Sequence, residues 1–482
     1  MKSRTSNLYR SLRSVALAAL VAGLLVAGAL AQNPVPQIVG PPHPIAVAPG
    51  GGDFTLNVYG ANFVPGAVVN WNRQARSTTY ISARELQAQI LASDIVAATA
   101  GYITVTNPPP GGGNSSSSWS LVEVHTPTAM IMPGYETQNR ENNSSVYALL
   151  VADFNNDGIP DLATGTGIIN VSLGDGDGGF RWASNATYIY LPISGGNSMA
   201  YGDFNGDGNL DLAFTTVYGV HGANAGMGVN LGNGDGTFDP IWQFTNTAST
   251  AVGGVVAGDF NRDGKLDLIG ETYLFLGNGD GTFQLTTTSA AVGGVYLAVG
   301  DFNGDGILDL ASFGNAPPKS PISIAFGNGD GTFQTAATVG YSNGICAFGA
   351  PMLTSDFNGD GKLDIAFCNQ TSIGVLLGNG DGTFQKPKYY YVGTASAFSF
   401  AAGDFNSDGK TDLIVSDYNH GLFLILLGNG DGTFQPRSQV KLPGPPNQGG
   451  EQGMVTGDFN SDGLLDFIFQ LDAVGIGEYL QK

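Results

Sequence analysis

Seven segments of the chain follow one nine-residue pattern, Asp-Phe-Asn-x-Asp-Gly-x-x-Asp, starting at Asp153, Asp203, Asp259, Asp301, Asp356, Asp404 and Asp458. Successive copies begin 42 to 56 residues apart, the period of an architecture that repeats one small supersecondary unit. Side-chain oxygens stand at positions one, three, five and nine around a glycine that never varies at position six. In the first four copies they belong to Asp153, Asn155, Asp157 and Asp161; Asp203, Asn205, Asp207 and Asp211; Asp259, Asn261, Asp263 and Asp267; and Asp301, Asn303, Asp305 and Asp309. The last three copies carry Asp356, Asn358, Asp360 and Asp364; Asp404, Asn406, Asp408 and Asp412; and Asp458, Asn460, Asp462 and Asp466.

The residues around each copy alternate in short apolar runs, which predicts strands. One strand enters the loop (Tyr147–Val151), a second leaves it (Leu162–Thr164), a third ends in a glycine-rich turn, and a fourth starts at a Phe. The turn runs from Leu173 to Phe180 and recurs before Phe238, Phe283, Phe333, Phe384 and Phe434. Its Asn-Gly and Asp-Gly steps supply the positive φ that tight hairpins need. Four antiparallel strands per roughly 50 residues, seven times over, describe an all-β seven-bladed β-propeller. After the seventh copy the chain holds only two further strands, Phe467–Gln470 and Val474–Leu480. The segment Ala129–Thr137 is expected to pair with the latter and complete the last blade, removing exposed sheet edges.

Three carboxylates and an amide converging within nine residues repel one another unless a cation lies between them, and glycine at position six permits the sharp turn that directs them inward. An all-oxygen set suits Ca²⁺, whereas zinc favours His and Cys. About seven structural Ca²⁺ ions are therefore expected. EF-hand and dockerin loops share this donor pattern but continue into a helix; Asp211–Thr216 reads as a strand.

The motif and its flanking strands resemble the FG-GAP and VCBS repeats found in integrin α-subunit propellers and in many bacterial secreted proteins, over the whole of 126–482. The resemblance implies that positions one, three, five and nine of every copy are calcium ligands, joined in the first copy by the Ile159 carbonyl. The integrin inserted domain and leg have no counterpart here, so integrin-type receptor function does not carry over. Residues 34–125 form a separate region of short alternating strands (Phe54–Val58, Leu86–Ile90, Ile103–Val105), the signature of a small β-sandwich. Its Gly60-Ala-Asn-Phe63-Val-Pro-Gly66, Val69-Asn-Trp71, Asn107-Pro108 and Pro110–Gly113 resemble the immunoglobulin-fold IPT/TIG domains. Here the sandwich is expected to act as a spacer.

Residues 1–31 read as a cleaved signal peptide, with Lys2, Arg4, Arg10 and Arg13 ahead of an apolar run and Ala29-Leu30-Ala31 before Gln32. The expected location is outside the cell, at its surface or in the periplasm, with no membrane span in the mature chain. The formal net charge is −21, which excludes nucleic acid as a natural partner. Cys346 and Cys368 are the only cysteines, and an oxidising compartment predicts that they form a disulfide.

Enzyme signatures are weak. Gly340-Tyr-Ser342-Asn-Gly344 matches the nucleophile-elbow pattern without a following helix, and His43, His125, His221 and His420 are scattered. Two functions compete: a non-enzymatic recognition or adhesion module for an extracellular protein or glycan, and a polysaccharide lyase-like enzyme on a calcium propeller. The longest connections between second and third strands are expected to carry binding. They are the loop from Thr215 to Met227 with Tyr218 and His221, and that from Ser312 to Ser320 with Phe313 and Lys319.

Overall fold

The computed structural model describes residues 32–481 except 39–41, 45, 98, 116–120, 125–134, 142–147, 166–168, 184–198, 217–225, 240–242, 247–253, 271–272, 290–295, 315–318, 343–351, 393–398, 418–421, 436–437, 442–452 and 472–474. The expected signal peptide, His125, Tyr218, His221, Cys346 and His420 thus lie outside the described residues. The described chain is all-β, and its only helical segment is the 3₁₀ turn Ala92–Asp94.

From residue 135 onward the strands form seven four-stranded antiparallel sheets. In the first, Ala148–Ala152, Asp161–Gly165, Ile169–Gly174 and Phe180–Trp182 lie side by side in chain order. The next five repeat that order, and in each the nine-residue loop joins the first strand to the second. The seventh consists of Met454–Gly457, Asp466–Leu471 and Gly475–Gln481, with Tyr135–Glu141 as its outer strand. Tyr135 pairs with Gln481 and Glu141 with Gly475. The outer strand overlaps the expected segment at Tyr135–Thr137 and runs on to Glu141; residues 129–134 lie outside the described residues. The described strand, Tyr-Glu-Thr-Gln-Asn-Arg-Glu, is polar, as suits the outer strand of a sheet.

Neighbouring sheets are tied together by one recurring joint. The glycine turn of each sheet donates a backbone N–H to the carbonyl of the loop Phe in the preceding sheet: Gly236 to Phe154 at 3.2 Å, Gly281 to Phe204 at 3.0 Å, Gly331 to Phe260 at 3.1 Å, Gly382 to Phe302 at 2.9 Å and Gly432 to Phe357 at 3.1 Å. The turn Phe then meets that loop Phe edge-on or tilted, as in Phe154–Phe238 and Phe204–Phe283. The first sheet makes the same joint to the seventh, Gly178 donating to Phe459 at 2.9 Å with Phe180 against Phe459. The first strands also touch in succession, and the first strand of the seventh sheet touches that of the first. Apolar side chains fill the spaces between adjacent sheets, so each sheet buries both faces.

The N-terminal residues form two sheets around one core. One orders Gln37–Ile38, Phe54–Ala61, Glu85–Ile90 and Ser77–Ser82; the other holds Ala46–Val47, Leu121–Val124, Thr99–Asn107, Val68–Trp71 and Gln74–Ala75. Leu56, Val58, Leu86 and Ile90 of the first pack with Val69, Trp71, Val105 and Val124 of the second. Cys368 is disulfide-bonded, and Cys346 is the only other cysteine in the chain.

Candidate metal loops and the face that covers them

Each loop is shaped by two left-handed residues. Position six has positive φ in all seven copies, from 78° at Gly361 to 91° at Gly158, and glycine adopts it without steric cost. Position four is also left-handed, including the non-glycine residues Asn156, Arg262, Ser407 and Ser461. The sequence pattern, which varies there, gave no hint of this.

The carboxylates are organised by backbone amides. The first-position Asp accepts the position-five N–H on Oδ1 at 3.0–3.3 Å. Its Oδ2 accepts the glycine N–H of position six at 2.7–3.0 Å. The Asn Oδ1 at position three accepts the same position-five N–H at 2.9–3.1 Å. The fifth-position Asp accepts the N–H of position seven at 2.8–3.1 Å.

Position nine behaves differently. Asp161, Asp211, Asp267, Asp309, Asp364, Asp412 and Asp466 are fully buried. Their Oδ2 accepts the N–H of the loop Phe at 2.7–3.0 Å. Their Oδ1 accepts a backbone N–H at the end of the third strand at 2.6–2.9 Å, from Gly174, Gly232, Gly277, Gly327, Gly378, Gly428 and, in the seventh sheet, Gln481. In the sequence these glycines stand out only as part of a turn. Their other role is close approach: a Cβ on Gly232 would lie 2.1 Å from the Leu210 carbonyl oxygen.

Burial is the chief cause of raised carboxyl pKa values at positions one and nine. Asp211, Asp309 and Asp364 rise to about 7 and Asp267 and Asp466 to about 8, against backbone hydrogen bonds that pull them down and neighbouring loop carboxylates that push them further up. Asp267, for instance, feels both Asp259 and Asp263. Positions one, five and nine thus share one electrostatic environment, although among the described residues no three His, Cys, Asp or Glu side chains form a ready-made metal shell. The donor set is all oxygen, which suits a hard cation.

The N-terminal sheets contact this loop face at the first, third, fourth and seventh loops. Arg73 pairs with Asp153 and donates to the Asn156 carbonyl. The Val35 N–H reaches Asp259 Oδ2 at 2.8 Å, Arg84 Nε lies 3.1 Å from Asp301 Oδ2, and the Tyr102 hydroxyl donates to the Asp458 carbonyl at 3.1 Å. Ala61 joins the apolar cluster of Phe260, Val299 and Leu308, and Leu121 packs against that of Phe405 and Leu465. The N-terminal sheets are therefore in direct contact with the repeat.

One expected rim residue stands elsewhere. Phe313 ends the second strand of the fourth sheet and is buried among Ile322, Ile324 and Phe367. Lys319 is exposed. Ser342 is a fully buried strand residue paired with Ser320, which removes it as a nucleophile. Among the described residues no helix is long and apolar enough to cross a membrane.

The chain matches the FG-GAP-like repeat family over residues 153–214, 217–270, 270–312, 356–415 and 404–469. It is also similar to a T-cell immunomodulatory protein homolog of Plasmodium yoelii yoelii, at 30% identity over 146 residues, covering 25% of this chain and 19% of that protein. Among solved structures it resembles an Agrocybe aegerita lectin that recognises non-reducing terminal N-acetylglucosamine, at 20% identity and a TM-score of 0.44, covering 71% of this chain and 90% of the lectin. The V. cholerae biofilm matrix protein Bap1 is similar at 12% identity and a TM-score of 0.38, covering 86% of this chain and 87% of Bap1. The five family matches span more than half of the sequence, and the chain belongs to the FG-GAP-like repeat family.

Proposed function

We propose that the protein is a secreted or surface-associated, calcium-stabilised recognition and adhesion module for an extracellular protein or glycan. In this reading residues 126–482 are a closed seven-bladed propeller, 34–125 an IPT/TIG-like immunoglobulin-fold domain, and 1–31 a removed leader. The cyclic succession of joints, with Gly178 donating to Phe459, supports closure, and the single core between two sheets supports the sandwich.

The loop residues at positions one, three, five and nine would hold the metal, and bound calcium would neutralise carboxylates that burial and mutual repulsion otherwise disfavour. Extracellular calcium modules bind with Kd on the order of 10⁻⁴ to 10⁻³ M. At about millimolar calcium each site then adds on the order of 1 kcal/mol, and seven sites together rival the stability of a whole domain.

Contact of the N-terminal sheets with the loop face carries the binding reading. With that face contacted by the N-terminal sheets at four of its seven loops, the opposite face is the one left to present varied loops. Its second-to-third-strand connections vary in length: 27 residues separate Asp211 from Phe238 and 24 separate Asp309 from Phe333, against 16 from Asp267 to Phe283. Varied loops on a rigid scaffold are where recognition concentrates. A glycan and matrix-protein array, probed with the whole protein and with Tyr218→Ala, tests this. Binding lost in Tyr218→Ala at unchanged calcium content supports the reading; binding that maps to residues 34–124 alone overturns it in favour of the sandwich.

A further inference from the structure

Three donors from separate points of the N-terminal domain converge on the same atom of three different loops. Arg73, the Val35 N–H and Arg84 each reach Oδ2 of the first-position aspartate, in Asp153, Asp259 and Asp301. That oxygen already accepts the glycine N–H of position six, at 2.9, 3.0 and 2.8 Å. Oδ1 stays on the loop side, accepting the position-five N–H at 3.0, 3.1 and 3.3 Å. Two of the three donors are cations. Arg73 projects from the left-handed turn Asn72–Arg73, and Arg84 lies in the turn between the strands Ser77–Ser82 and Glu85–Ile90. Asp301 is buried while Arg84 keeps a quarter of its side-chain surface.

We infer that Arg73 and Arg84 are resident counter-ions of the first and fourth loops, so that docking of the N-terminal domain and cation loading compete at those two loops. This rests on the reading of the loops as calcium sites. A bare loop offers a guanidinium three carboxylates; a loop holding a divalent cation offers it a net charge of only −1. Loading therefore weakens the attraction that seats Arg73 and Arg84, and by reciprocity each guanidinium weakens the affinity of its loop for the cation. Preorganisation of the aspartate by Arg is the opposing effect. It is the smaller one, because the glycine N–H already fixes Oδ2 in every loop, with or without an arginine. At the third loop the Val35 N–H brings no net charge, so that loop should bind like the remaining four.

The test is a Ca²⁺ titration of the whole protein, in parallel with R73Q/R84Q, which keeps a hydrogen-bond donor without the charge, and R73K/R84K, which keeps the charge. Wild type should show two weak sites beside a tighter class. In R73Q/R84Q those two should tighten by about fivefold or more, the lower end of ordinary coupling between sites, while R73K/R84K stays close to wild type. In chelator, R73Q/R84Q should melt below wild type and show faster hydrogen exchange at the contacts of Arg84 and Tyr102. Unchanged or weaker binding in R73Q/R84Q overturns the competition. An unchanged melting temperature and exchange in chelator overturn the counter-ion role even if no site binds. Wild type that binds no Ca²⁺ at all refutes the calcium reading itself, a separate outcome.

Discussion

The buried aspartate at position nine serves the backbone before it serves any metal. Asp364 takes the Phe357 N–H at 2.9 Å and the Gly378 N–H at 2.7 Å, tying the start of the loop to the end of the third strand. The sequence made these carboxylates visible as a set, but not this division of labour, because the partner glycine lies 10 to 21 residues away and carries no side chain to mark it. Burial raises the carboxyl pKa of Asp364 to about 7 and of Asp466 to about 8 from 3.8. A raised folded-state pKa favours the protonated fold, so this contribution is complete below pH 3.8 and lost as pH rises through 7 to 8. Metal-free protein should accordingly melt at progressively lower temperature between pH 5 and pH 8.5, and saturating calcium should abolish or reverse that slope. Calorimetry across this range decides it; a metal-free melting temperature that climbs with pH contradicts the burial argument.

At the scale of the element, the four-stranded unit and its hairpin were readable from alternation and Asn-Gly steps, whereas the joint between sheets was not. It uses backbone groups, as in Gly236 N–H to the Phe154 carbonyl, and only the spacing of the two phenylalanines hinted at it. In the seventh sheet, Gln481 makes the two contacts that the glycine turn makes elsewhere. Its backbone N–H reaches Asp466 Oδ1 at 2.6 Å, and its side-chain amide donates to the Phe405 carbonyl at 3.3 Å. Gln481→Ala removes only the second bond and should cost about 1 kcal/mol. Ending the chain at Leu480 also leaves the buried Asp466 short of a donor and should cost about 1–3 kcal/mol more. Thermal melts of the two variants check this ordering; equal melting temperatures would show that Gln481 does not hold the last sheet.

For the whole molecule, the sequence separated two regions but could not say how they meet. Arg73, Arg84 and Tyr102 sit in turns and strands like ordinary surface residues, and nothing local to them records that they face Asp153, Asp301 and Asp458. That contact sets the N-terminal sheets against the aspartate loops of the first, fourth and seventh sheets, and in the proposed reading recognition falls to the other face. In the proposed reading, the stability of the repeat rests on the loops being cation sites. Elemental analysis of the protein after equilibrium dialysis against several millimolar calcium tests that most directly. About seven calcium ions per chain are predicted, together with a sharp loss of melting temperature when they are removed; two or fewer ions, or a melt indifferent to chelator, would contradict it.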